Sequence, residues 1–253
     1  MDDVDDEDGA GGTSRGVPQI GDIPRVHVRR TADIAVALDQ LAVRRGIPVL
    51  VLVGGAAGMT QAHLATLSSV LRQSALPLLD RLGAAVVDGA TDSGVMRVVG
   101  QARREGQARF PLVGVAAEGT VNVPGEGSPG PNAADLEPHH TQFILVPGAD
   151  WGDESPWLAD VADEIASGAP SVTLVVNGGE ITFDDVAASL ARGRPVLVLA
   201  GTGRTADAIA RARTQSDGDP RAAALASSEL TSVVAVDDAD GVRMALEAAL
   251  ARS

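Results

Sequence analysis

Four glycine-bearing turns follow apolar runs in this chain: VGGAAGM (53–59), VDGATDSGVM (87–96), VNGGEIT (176–182) and LAGTGRTAD (199–207). The last three run directly into helical patterns. Glycine permits tight turns and a close approach of backbone to ligand. The first N–H groups of a helix have no intrahelical partner, so a turn of this kind can cradle an anion. Gly54, Gly55, Gly89, Gly94, Gly178, Gly179, Gly201 and Gly203 form the turns, with Ala90, Val95 and Asn177 in the same stretches. Thr91, Ser93, Thr182 and Thr202 place hydroxyls at the same level. One such turn is ordinary strand–helix punctuation. Three on one sheet edge point to a phosphate-bearing ligand.

Charge narrows the choice. No arginine or lysine occurs between Arg109 and Arg192, so Arg204, inside the last turn, is the best-placed phosphate partner. Its bland alternative is a surface pair with Asp207. Asp88, Asp92 and Glu180 would repel a bare phosphate and suit ribose hydroxyls, which favours a nucleotide-derived ligand; Asp92 could equally cap a helix. His139 and His140 enter a strand side by side and face opposite ways, with no third ligand at a recognisable spacing, so no metal site is expected. Trp151 and Trp157 could stack on a base, although packing is the simpler role. His27 and His63 carry no signal.

Alternating strands and helices must hold these turns. PVLVLV (48–53), AAVVDG (84–89), PLVGVA (111–116), QFILVP (142–147), SVTLVV (171–176), PVLVLA (195–200) and SVVAVD (232–237) read as seven buried strands. Ile34, Leu38 and Leu41 mark a helical stripe, and a second helical segment at 61–82 is expected to break at Pro77. Ser155 reads as the N-cap of a helix with Pro156 at N1. Thr182 and Asp185 read as a capping-box variant opening the helix 182–193. A helix also follows Arg204, and a last one covers about 239–251. The pattern predicts an α/β, Rossmann-like doubly wound sheet of about seven mostly parallel strands with helices on both faces. Residues 117–138 are too rich in Gly and Pro for a simple crossover and read as a binding lid or a mobile excursion. Residues 1–24 read as a disordered acidic tail and 25–253 as a single domain.

Composition excludes several classes. The 253 residues carry a net charge of −14, which argues against nucleic acid and anionic membranes as partners. There is no cysteine, hence no thiol nucleophile or thiolate metal site, and lysine and tyrosine are also absent. Without an N-terminal apolar segment the chain reads as soluble and cytoplasmic. No tightly bound cofactor is expected.

The run DGATDSGVMRVVGQARREGQARFPLVGVA resembles a ligand-contacting region of the SLOG superfamily, which includes lysine-decarboxylase-like phosphoribohydrolases. LEPHHTQFILVPGAD (136–150) and LVVNGGEITFDDVAASLARGRPVLVLAGTGRTADAIA (174–210) resemble one branch, the N-terminal SLOG domain of melastatin-type TRP channels. The resemblance implies a free-standing prokaryotic-style relative that senses a nucleotide-derived ligand of the ADP-ribose or NAD-derivative class. It implies contacts from the glycines above, from Thr91, Ser93 and Thr182, from Arg204 and from His140. Ala90 stands where members often carry a second glycine. The enzymatic members have a Pro-Gly-Gly-x-Gly-Thr-x-x-Glu signature and an arginine from an earlier helix. Here Asp185 replaces the glutamate, Ile181 replaces a glycine, and the arginine segment has no counterpart. The expected function is binding without catalysis, with Asp185-dependent N-glycosidase or phosphoribohydrolase chemistry as the alternative. A homo-oligomer and an unidentified effector protein are the implied partners.

Overall fold

A computed structural model describes residues 19–55, 58–215 and 218–251. The described chain runs β1 (Arg25–His27), α1 (Ile34–Gln40), β2 (Val49–Gly54), α2 (Gln61–Gln73), α3 (Ala75–Leu82), β3 (Ala85–Asp88), α4 (Gly94–Glu105), β4 (Leu112–Ala117), β5 (Val121–Asn122), β6 (Ala134–Asp135), β7 (Gln142–Val146) and α5 (Ser155–Ala166). It continues through β8 (Ser171–Val176), α6 (Glu180–Ala191), β9 (Val196–Ala200), α7 (Arg204–Ala212), α8 (Pro220–Ala226), β10 (Thr231–Ala235) and α9 (Ala239–Leu250).

Side-chain alternation builds the layers. In β2, Val49, Val51 and Val53 face a core shared with α1, α5, α6, α7 and α8. Leu50 and Leu52 face the opposite core, shared with α2, α3, α4 and α9. A strand apolar on both faces must lie between two helical layers. The main sheet has eight strands in the order β1-β7-β4-β3-β2-β8-β9-β10, and every pairing in it is parallel. The chain winds outward from β2 through β3, β4 and β7, then returns to the other side of β2 as β8. That reversal opens a crevice at the carboxyl ends of β2 and β8.

Several expectations move. The eighth strand, β1, is three residues long and carries only Val26 as an apolar signal; it pairs with the edge of β7. Residues 1–18 of the expected acidic tail lie outside the described residues. Residues 19–24 are folded, with a 3-10 turn at Ile20–Asp22, Ile23 buried, and the Phe143 N–H donating to Pro24 O at 2.9 Å. The 61–82 helix breaks at Ser74 rather than at Pro77, because proline is tolerated in the first turn of α3 but would clash with the carbonyl four residues earlier. Segment 117–138 is anchored at both ends, with the largely exposed stretch 125–132 between them. Val121, Val123 and Leu136 pack with Phe143, Leu145, Ala116 and Ala90, covering the sheet face where a helix would otherwise sit. Among the described residues no helix is long and apolar enough to cross a membrane.

Candidate functional site

A cleft of about 860 Å³ occupies the crevice at the reversal. Gly54 and Gly55 form its floor at the end of β2. Gly54 has φ +132°, and an added Cβ would lie 1.9 Å from the Val176 carbonyl oxygen, so only glycine lets β2 and β8 close there.

The turn after β3 makes the second wall. Ala90 adopts φ +66°, a left-handed conformation that favours glycine, and its N–H donates to Asp88 Oδ1 at 2.9 Å. Thr91 and Ser93 share a hydroxyl hydrogen bond at 3.0 Å, and the Ser93 N–H donates to Thr91 O. Segment 117–138 buttresses this turn. The Asp92 N–H donates to Asp135 O at 2.7 Å and the Glu137 N–H to Ala90 O at 2.9 Å. Ser93 precedes α4 without a side-chain cap, and the first N–H of α4, at Gly94, meets the cleft.

The third wall is the start of α6, which begins at Glu180 rather than at the expected Thr182. Gly179 is its N-cap, and Thr182, at N3, accepts the Gly179 N–H at 3.1 Å. Gly178 has φ +96°, and a Cβ there would strike Thr182. Arg204 opens α7 with φ +45°. Its guanidinium lies beside Gly179, where an added Cβ would be 3.2 Å from Nη2. Among the described residues Arg204 forms no ion pair. Asp207, its expected partner, instead accepts the Gly201 N–H at 2.7 Å. The N-termini of α4, α6 and α7 thus converge on one cleft with a free guanidinium, an arrangement suited to phosphate.

Ten of the expected ligand residues line this cleft: Gly54, Gly55, Gly89, Thr91, Ser93, Gly94, Gly179, Glu180, Thr182 and Arg204. The other eight do not. Ala90 and Val95 are buried in the core beneath the turn. Asn177, Gly178 and Gly203 shape the helix entries. Thr202 is a staple: its hydroxyl accepts the Asn177 N–H at 2.8 Å and donates to Leu199 O at 2.7 Å. Gly201 and Thr202 line a separate cavity with Met59 and His63. His140 is buried, bonded to Asp88 and Glu137, and does not line this cleft. Asp88 is buried with it and cannot reach a ribose. Asp92 pairs with Arg97, and Glu180 with Arg221.

Sequence reasoning missed Met96, Glu154, Leu158 and Ile181, and preferred packing to stacking for Trp151; all line the cleft. Trp151 is 44% exposed, so its indole face is open for stacking. Glu154, not Ser155, is the N-cap of α5 and accepts the Gly152 N–H at 3.0 Å. The shifted start of α6 also removes the capping role expected for Asp185, which instead lies on the cleft wall. Burial pushes its carboxyl up to about 7; Ser155 opposes the rise, while Glu154 and Asp184 add to it. Burial likewise raises Glu154, against backbone N–H donors that lower it.

Asp185 therefore lowers stability at neutral pH. Its folded pKa lies above its unfolded one, so stability falls as pH rises from about 4 to about 7. Asp185→Asn is expected to stabilise the protein by about 1–2 kcal/mol above pH 7, after allowance for partial exposure, and to change nothing near pH 3. Denaturant midpoints of both proteins at the two pH values check this.

A family model described as "SLOG in TRPM, prokaryote" matches residues 47–245. The chain is 27% identical over 183 residues to Transient receptor potential cation channel subfamily M member 2 of Mus musculus, covering 58% of this chain and 12% of that one. It is 26% identical over 183 residues to the member-like 2 protein of Nematostella vectensis, covering 56% and 12%. The chain thus spans about an eighth of the length of these relatives. Among solved structures it is similar to the molybdenum cofactor carrier protein of Chlamydomonas reinhardtii, with TM-score 0.54 and 18% identity over 81% of this chain and 99% of that one. That likeness shows the shared fold.

Proposed function

The chain belongs to the family of prokaryotic SLOG domains related to those of TRPM channels, and from that premise we propose that its cleft binds a nucleotide-derived ligand of the ADP-ribose or NAD-derivative class. The observation that carries this reading is the convergence, in one cleft, of three helix N-termini, an exposed tryptophan and Arg204, which has no ion pair among the described residues. Phosphate sits on the N–H groups of Gly94 and Glu180 beside Arg204, and a base stacks on Trp151. A volume of about 860 Å³ lies within the range of small-molecule sites. In this reading the protein is a cytoplasmic sensor that passes ligand occupancy to a self-associated copy or an effector.

Arg204→Ala is the direct test. Loss of a charged hydrogen bond to phosphate is expected to weaken ADP-ribose or NAD binding by about 1.5–3 kcal/mol, with the melting temperature of the free protein unchanged. Calorimetric titration measures the first and a thermal scan the second. Equal affinity in the variant removes Arg204 from the site.

One observation favours a second reading. The Asp185 carboxyl, with a pKa of about 7, faces the same cleft beside Glu154, as a general acid or base would. In that reading Asp185 assists cleavage of an N-glycosidic bond in a nucleoside monophosphate or ADP-ribose-like substrate. Chromatography after prolonged incubation decides between them. Free base that disappears with Asp185→Asn establishes hydrolysis, and ligand recovered intact establishes binding alone.

A further inference from the structure

A second cavity, of about 310 Å³, lies under the last turn of α4 where the chain enters β7. Arg103, Arg104, His139 and Thr141 line it, with Asp22 at one side. Most arginines of the described chain are tied to carboxylates, as expected of a protein with net charge −14. The two here are not. Arg103 is partly buried, donates through Nε to Phe110 O at 2.9 Å and through Nη1 to His139 O at 3.4 Å, and lies 5.5 Å from the Phe110 ring centre. Its Nη2 has no partner among the described residues. Arg104 is exposed and has neither an ion pair nor a side-chain hydrogen bond there. His139 gives Nδ1 to Glu137 Oε1 at 2.5 Å, which leaves Nε2 as the ring's remaining polar edge.

We propose that this cavity is a second anion site, holding a phosphate-sized oxyanion between Arg104, the free edge of Arg103 and Nε2 of His139. Two arginines and an imidazole lining one cavity offer directed donors to a tetrahedral anion. Asp80 and Glu137 act on Arg103 through space, but no carboxylate forms an ion pair with either arginine among the described residues. Glu137 is already engaged by His139 and His140, and Asp22 forms no ion pair with either arginine. In an acidic protein, unpaired cations gathered in a concavity are the places where the local potential can favour an anion. The site shares no lining residue with the main cleft, so it stands or falls apart from the reading given above.

Inorganic phosphate is the probe, added to the full chain at constant ionic strength. Arg204→Ala serves as the background, because it silences the arginine of the main cleft. There, phosphate is expected to raise the melting temperature saturably, by about 3–6 °C at about tenfold above its midpoint. Adding Arg104→Ala, an exposed change that leaves the fold intact, is expected to abolish the rise. The His139 ring resonance, assigned with His139→Gln, should move along the same curve. Glycerol 3-phosphate in a parallel arm distinguishes a phosphomonoester from free phosphate as the preferred occupant; tighter binding of either supports the site. A rise that survives Arg104→Ala, or one absent from the Arg204→Ala background, overturns it.

Discussion

Replacing His140 by alanine is expected to destabilise the protein by about 3–5 kcal/mol, the cost of leaving buried charges without their partner. The ring is fully buried, with Nε2 2.8 Å from Asp88 Oδ1 and Nδ1 2.9 Å from Glu137 Oε2. Neutral imidazole has one N–H, so two contacts to carboxylate oxygens require the doubly protonated cation. Burial pulls the His140 pKa down, but Asp88 and Glu137 outweigh it and raise the value to about 9. The folded pKa thus exceeds the ordinary 6.5. The resulting stabilisation, about 3 kcal/mol, is fully present below pH 6.5 and is lost as pH rises through 9. Urea titrations at pH 6, 8 and 10 should show this slope in the wild type and not in His140→Ala. A variant within 1 kcal/mol of wild type at pH 6 would mean that the network carries no net stabilisation. The damage should reach the main cleft as well. Asp88 holds the Ala90 N–H, and the Glu137 backbone holds the Ala90 carbonyl, so the turn from Gly89 to Gly94 rests on this network.

His140 also marks where sequence reading reached its limit. Its spacing before β7 was legible, but its direction was not. Whether it faces ligand or core depends on Asp88 across the sheet and on Gly100, where an added Cβ would lie 2.2 Å from the Glu137 carboxyl. Seven strands of the main sheet, all but β1, were legible because each carries a run of branched or other apolar residues, on both faces in the inner strands. β1 escaped notice because three residues on a sheet edge carry too little apolar signal. Glycine turns revealed the cleft rim, since φ above zero and close approach leave few other residues possible. They did not separate Gly179, which borders the cleft, from Gly201, which borders another cavity. Trp151 and Glu154 come from a stretch without regular period, so no pattern assigned them a face. Asp185 was misread for a simpler reason. Threonine caps helices well, but here Gly179 is the cap and Thr182 folds back onto it, which moves Asp185 from the first turn to the cleft wall.

The largest effect is expected from Gly54→Ala, at least about 3–5 kcal/mol together with loss of ligand binding. Two costs add at this position. A side chain at φ +132° is strained wherever it occurs. The added Cβ would also lie 1.9 Å from Val176 O, a backbone atom in the adjacent strand that cannot rotate aside as a flexible side chain does. Relief requires β2 and β8 to part at their carboxyl ends, which breaks the bond from the Gly55 N–H to Val176 O at 3.1 Å and pulls Gly179 away from Gly54. The crevice exists because the chain reverses between these two strands, so parting them dismantles it. Gly83→Ala separates the two costs. Gly83 has φ +60° with nothing within 4 Å of an added Cβ, so that change brings strain alone, about 1 kcal/mol. Denaturant midpoints of the two variants should therefore differ widely, with Gly54→Ala much the lower and unable to bind nucleotide. Equal midpoints would show that β2 and β8 do not close tightly at Gly54, and the cleft would then lack the rigid floor on which its helix N-termini converge.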